Sequence, residues 1–105
     1  MLMMKWLIKI KPMKKTIWKF ELETTDNQTI EMPANAEILT VQTQAQKPYL
    51  WALIDPTEKK EKRLIEIFGT GHDLHYDIGV SRNYLGTYQI EGGSLVFHVF
   101  EYIGV

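Results

Sequence analysis

Residues Tyr84–Phe100 read Tyr-Leu-Gly-Thr-Tyr-Gln-Ile, then Glu-Gly-Gly-Ser, then Leu-Val-Phe-His-Val-Phe. Two runs rich in aromatic and β-branched residues flank a turn whose glycines supply positive φ, which is the signature of a β-hairpin. The second run is apolar throughout except for His98. The same grammar recurs upstream. Thr16–Leu22 alternates Trp18, Phe20 and Leu22 against Ile17, Lys19 and Glu21. Period-two alternation places one set on a buried face and the other toward water.

Working outward, four further segments fit strands. Gln28–Met32 follows the turn cluster Thr24-Thr25-Asp26-Asn27, so a hairpin with Thr16–Leu22 is expected. Ile38–Gln44 places Ile38, Thr40, Gln42 and Gln44 on one face and Leu39, Val41 and Thr43 on the other. Tyr49–Ile54 is apolar on both faces, as a central strand is. Asp55-Pro56-Thr57 turns the chain, and Glu58–Lys62 reads as a solvated loop tip. Arg63–Phe68 alternates Leu64, Glu66 and Phe68 against Arg63, Ile65 and Ile67. Only four alanines occur, against 37 Val, Ile, Thr and aromatic residues, so strands are favoured over helices. The expectation is an all-β domain, a compact antiparallel sandwich or barrel of about seven short strands.

The chain has 105 residues, enough for one domain with its own core. Without cysteine it has no disulfide, no thiol nucleophile and no Cys-ligated zinc. The net charge of −1 hides an asymmetry: residues 1–19 carry six lysines and no acid. The apolar run Leu2–Ile10, broken by Lys5 and Lys9, is too short for a membrane span, which needs about 20 residues. Met13-Lys14-Lys15-Thr16 resembles a fresh start, and Pro12 breaks any element running through it. Residues 1–12 are therefore expected to be an N-terminal extension or tail, and 13–105 a single β domain with net charge −4. That charge argues against nucleic-acid partners, and a cytoplasmic location is expected.

Four groups of residues carry candidate chemistry. Gly69-Thr70-Gly71-His72 leaves a strand with two glycines around a hydroxyl. Consecutive N–H groups in such a turn form a nest for an anion, and Thr70 and His72 would add side-chain donors. His72, Asp73, His75 and Asp77 form a His/Asp cluster of metal-ligand types on a loop, without a helical ligand motif. Trp51 and His98 each sit within an apolar strand, as core residues or as a ligand-facing ring and imidazole. His98 and Glu101 fall on opposite faces of one strand, so they do not pair with each other. Gln42 and Gln44 either read a polar ligand or face water, while Lys19 and Arg82 have too few aromatic sequence neighbours to argue from.

Thr25-Asp26-Asn27-Gln28-Thr29-Ile30-Glu31-Met32-Pro33, Leu50-Trp51-Ala52-Leu53-Ile54-Asp55-Pro56, Gly69-Thr70-Gly71-His72, Tyr84-Leu85-Gly86-Thr87 and Leu95-Val96-Phe97-His98-Val99-Phe100-Glu101 resemble, in combination, a small family of uncharacterised proteins of bacteriophages and prophage-bearing bacteria. The resemblance runs from about Met13 to Glu101, excepting the Asp73–Asn83 loop, and implies no activity, ligand or functional residue. It implies a phage accessory protein acting in the host cytoplasm. The first expectation is a non-enzymatic binding module, using Gly69, Thr70, Gly71, His72, Trp51 and His98 to hold a small anionic or nucleotide ligand or a host protein. The alternatives are a metal-dependent hydrolase using His72, Asp73, His75 and Asp77, and a structural or assembly component of the virion. No cofactor is called for, and apolar residues on both faces of two strands suggest a homo-oligomer.

Overall fold

A computed structural model describes residues 14–104, and the expected extension 1–12 lies outside the described residues. Seven strands follow in chain order: β1 Thr16–Glu21, β2 Asn27–Pro33, β3 Glu37–Gln44, β4 Lys47–Ile54, β5 Lys60–Gly69, β6 Ser81–Ile90 and β7 Leu95–Gly104. They form two antiparallel sheets, one ordered β1-β4-β3 and the other β2-β5-β7-β6. The all-β expectation holds, and each proposed strand is present.

The pairing departs from expectation at the first turn. β1 pairs with β4, Thr16 opposite Ile54, and β2 pairs with β5, Asn27 opposite Glu66. Residues 22–26 therefore cross between sheets instead of closing a hairpin. Leu22 is buried in that crossing and anchors it to the core. Gln28 bridges back, its side-chain amide donating to the Glu23 carbonyl at 2.7 Å and accepting from the Glu23 N–H at 3.1 Å. The expected loop tip at Glu58–Lys62 is shorter, since β5 starts at Lys60 opposite Pro33. Before it, the Asp55 carboxylate accepts from the Thr57 N–H and hydroxyl, which holds its carboxyl below the usual range.

Two hairpins join neighbours within sheets. β3 and β4 turn through Ala45 and Gln46, both with positive φ of 51° and 66°. Such a two-residue turn matches the strand twist, although it usually recruits Asn or Gly. β6 and β7 turn through Glu91–Ser94, as the opening stretch predicts.

The core lies between the sheets. Leu50, Ala52, Ile54 and Val41 from one meet Met32, Ile65, Ile67, Tyr88 and Val99 from the other. A bulge at Leu39 corrects simple alternation: Ile38 pairs with Ala52 and packs on the core, while Thr40, Gln42 and Gln44 face outward. The sheets approach most closely where β3 passes β6. A Cβ on Gly86 would lie 3.0 Å from the Val41 Cβ, so glycine is there for close approach. Tyr88 donates to or accepts from the Thr24 hydroxyl at 2.7 Å, tying the crossing to β6.

β4 is the middle strand of its sheet, but only its inner face is buried. Tyr49, Trp51 and Leu53 line the outer face half-buried. On the second sheet, Arg63 makes a two-pronged contact with Glu101, reaches the Ala36 carbonyl at 3.1 Å, and ties β5 to β7 and to the β2–β3 turn. His98 points to the opposite face from Glu101, as expected.

Candidate functional site

The outer face of the four-stranded sheet carries a floor of aromatic rings. Phe68, Phe100 and Tyr84 come from β5, β7 and β6, with Phe100 edge-on to both neighbours at 5.9 and 5.3 Å. The register sets Phe68 and Thr87 on either side of His98. The segment after β5 folds across this floor and places Leu74 over it. Together these residues enclose a shallow cavity of about 200 Å³, lined by the Gly69–His72 turn, Phe68, Leu74, Tyr84, His98 and Phe100. Five of the six proposed ligand residues, Gly69, Thr70, Gly71, His72 and His98, thus converge. Trp51 does not. It lies on the outer face of the other sheet, beside Tyr49 at 6.3 Å, with its Nε1 buried and unpartnered among the described residues.

The hydrogen bonds revise the chemistry expected of the turn. The Gly69 N–H donates to His72 Nδ1 at 3.3 Å, the Thr70 N–H to the Val96 carbonyl at 3.2 Å, and the His72 N–H to the Gly69 carbonyl at 3.0 Å. Three of the four donors of the proposed anion nest are thereby engaged within the fold. The His98 ring is held at both ends: Nε2 lies 2.7 Å from the Thr70 hydroxyl and Nδ1 lies 3.0 Å from the Thr87 hydroxyl. Thr87 in turn bonds the Tyr84 hydroxyl. A Tyr84–Thr87–His98–Thr70 chain therefore fixes the imidazole plane. Each hydroxyl can donate or accept, so either neutral tautomer of His98 satisfies the chain.

A second cavity of about 90 Å³ shares Gly69 and His72 with the first and is completed by Thr24, Thr25, Asp26, Ile67 and Phe97. The His72 ring borders both. It rests on Gly69, where a Cβ would meet its Cε1 at 3.0 Å. Gly69 is thus needed as the seat of His72.

His72, Asp73, His75 and Asp77 are not gathered around a common point. Among the described residues no group of three or more His, Asp or Glu is placed to hold a metal ion. His72 turns back to β5, and the His75 carbonyl accepts from Arg82 Nη1 at 2.9 Å. Asp73 and Asp77 face solvent on the loop.

Arg82 was set aside in the sequence for want of aromatic neighbours, yet it secures the loop. Its Nε donates to Glu66 at 2.6 Å, and the guanidinium packs over Tyr76, Phe68 and Tyr102 at 4.7, 5.5 and 5.8 Å. The Glu66 bond pushes its pKa further up, so it stays charged. Lys19 was passed over for the same reason and plays a parallel part, lying 4.6 Å from the Tyr49 ring centre and 5.7 Å from that of Trp51. Lys19 meets rings from β4, and Arg82 meets Phe68 and Tyr102 from β5 and β7 as well as Tyr76 from the loop, so most of these partners lie far off in sequence.

Comparison with known families adds one finding. The model of a domain of unknown function, DUF7352, matches residues 13–104. The chain belongs to this family. The match begins at Met13 and takes in both cavities and all seven strands. No curated protein and no solved structure matches the chain. No helix among the described residues is long and apolar enough to cross a membrane.

Proposed function

We propose that this chain is a non-enzymatic binding module that seats one compact apolar or aromatic group in the cavity beneath the Gly69–His72 turn. The observation that carries this reading is the convergence of His72 and His98, from separate elements, on a cavity walled by Phe68, Leu74, Tyr84 and Phe100. Apolar walls with a few placed polar groups are the usual build of a small-molecule site. Among the described residues no carboxylate borders this cavity, and both His98 nitrogens are engaged by hydroxyls. That favours holding a ligand over moving protons. The volume suits a single ring, borne by a small ligand or by a side chain of a host protein.

The phage setting implied by the resemblance, the host cytoplasm and a homo-oligomeric state belong to this reading as proposals. Oligomer formation draws on Ile17, Leu39 and Ile103, which are exposed. The test is two-dimensional NMR of the protein titrated with single-ring compounds to millimolar concentration. Shifts confined to Leu74, His72, His98 and the flanking rings are expected. No shift with any compound, in natively folded protein, overturns the reading. Light scattering on the same sample checks the oligomer, and a purely monomeric mass removes that part.

A further inference from the structure

Each sheet has two edges, and three of the four are guarded against pairing with another chain. β3 and β6 meet where the sheets close, at Val41 and Gly86, and each carries a bulge, at Leu39 and at Leu85. On β2, the Asp26 carbonyl accepts from the Ile67 N–H, so by alternation Asn27, Thr29, Glu31 and Pro33 turn their backbone groups away from β5. Pro33 has no N–H to offer there, as suits an edge. β1 lacks such a guard. Its register against β4 is continuous, with no proline, glycine or bulge. The Leu22 N–H donates to the Pro48 carbonyl, which by the same alternation commits Phe20, Trp18 and Thr16 to β4. Ile17, Lys19 and Glu21 therefore aim their N–H and C=O groups outward, unpaired among the described residues. Lysine on an edge usually deters pairing, but the Lys19 cation is drawn back across β4, bonded to Gln44 and stacked over Tyr49. Ile17 is 56% exposed and Trp18 38%.

The charge along this edge selects what pairs with it. Lys14 and Lys15 precede β1, and Glu21 and Glu23 stand at its far end. Those two acids and Glu31 border a cleft of about 610 Å³ that Phe20 and Ile30 also line. An antiparallel strand with a basic start complements this edge, and β1 of a second copy is such a strand. Pairing about Trp18 sets Lys15 opposite the partner's Glu21 and Ile17 opposite the partner's Lys19, twice by symmetry. Centring on Ile17 or Lys19 sets lysines face to face, and centring on Phe20 runs the pair past β1 into the crossing between sheets. Within one chain Glu21 has Lys47 at 3.6 Å and Lys15 faces Asp55, but the first pair is exposed and holds little.

We infer that β1 is the seam of a two-fold homodimer, in which it pairs antiparallel with β1 of a second copy about Trp18 and joins two three-stranded sheets into one. This rests on the oligomeric part of the reading above and not on the cavity. The seam satisfies the outward backbone groups of Ile17, Lys19 and Glu21 and covers the exposed Trp18 with its own copy. At six residues it is short, so the dimer is reversible, with a dissociation constant of about 1 μM or weaker.

Sedimentation velocity of the full chain over a concentration series is expected to show a monomer–dimer equilibrium. The chain has no cysteine, so introduced thiols report the seam alone. Opposed residues that do not bond each other have Cα atoms about 4.5 Å apart, within disulfide reach. Trp18→Cys is therefore expected to cross-link about tenfold faster than Phe20→Cys in mild oxidant. Mixing Ile17→Cys with Lys19→Cys keeps Trp18 in place and is expected to favour the mixed disulfide over either homodimer. Lys19→Pro removes an outward N–H without touching the β1–β4 ladder, and is expected to raise the dissociation constant about tenfold, while Lys19→Met, which keeps that N–H, does not. A dimer indifferent to Lys19→Pro and without these cross-link preferences overturns the seam but leaves the oligomer standing. A monomer at every concentration overturns both, and the ring cavity keeps its own test. A monomer whose Ile17, Lys19 and Glu21 amides resist hydrogen exchange also overturns the seam and assigns this edge to residues 1–12.

Discussion

Replacing Gly86 with alanine tests whether the sandwich is closed by backbone approach at β3 and β6. An ideal Cβ at residue 86 falls 3.0 Å from the Val41 Cβ, 3.3 Å from its backbone nitrogen and 3.5 Å from its Cγ2. Carbon pairs prefer about 3.5–4.0 Å, so the strands must part by roughly half an ångström or more. One of the close atoms is main chain and cannot rotate away. Overpacking of this kind costs about 1–3 kcal/mol. Against it stands the gain from replacing a strand glycine, about 0.5–1 kcal/mol. At mid-range the packing term wins, leaving a net loss of about 1 kcal/mol and a midpoint drop of about 4–8 °C for a domain of this size. Thermal unfolding followed by near-ultraviolet circular dichroism reads it, with urea unfolding as a check. The cycle with Val41→Gly, which removes the opposing Cβ, should show a favourable coupling of about 1 kcal/mol. A Gly86→Ala protein as stable as the parent would refute the close-approach argument, since the strand gain would then stand unopposed.

Three further outcomes follow from other contacts. Glu101→Gln strips the countercharge from Arg63, whose side chain is only 18% exposed, and should cost about 2–4 kcal/mol in urea unfolding, whereas Arg63→Met with Glu101→Leu should recover most of it. A loss under 0.5 kcal/mol would mean the pair is solvated. Tyr88→Phe removes the 2.7 Å bond to Thr24 and should cost about 0.5–1.5 kcal/mol at neutral pH. Burial raises the Tyr88 pKa, so its contribution is whole below about pH 10 and fades as pH climbs through the folded value. Alkaline unfolding should therefore steepen in the parent relative to Tyr88→Phe, and parallel curves would contradict this. Arg82→Met frees the loop that Arg82 holds at Glu66, Tyr76 and the His75 carbonyl, so limited proteolysis should cut residues 73–79 at least tenfold faster. An unchanged cutting rate would show that the loop is held by other means.

The strands were legible because alternation is a local signal. Thr16–Leu22 and Arg63–Phe68 declare their faces without knowledge of their partners. Partnering is not local, and there the reading failed first. Thr24–Asn27 has the composition of a hairpin turn, but the buried Leu22 and the Gln28 bridge to Glu23 make it a crossing between sheets. The true hairpin at Ala45-Gln46 carries neither Gly nor Asn, so its chemistry is silent in sequence. The bulge at Leu39 likewise shows only as a register shift.

The site was half legible for a related reason. Gly69-Thr70-Gly71-His72 was recognisable as a turn with donors, and His98 as an imidazole misplaced in an apolar run. That they meet follows from register alone, because β5 and β7 pair Phe68 with His98 and Gly69 with Phe97. This puts the turn one residue beyond the His98 row, within reach of the Thr70 hydroxyl. Trp51 obeys the same logic in reverse. Its strand belongs to the other sheet, so no rotamer brings it to the cavity. The nest was only partly legible, because glycine spacing reports where a backbone can bend, and not where its N–H groups go afterwards. Here three of the four go to Val96, to Gly69 and to the ring of His72. What the described residues leave uncommitted is the Gly71 N–H and His72 Nε2 beside an apolar cavity, and that is why the proposal above seats an apolar group there.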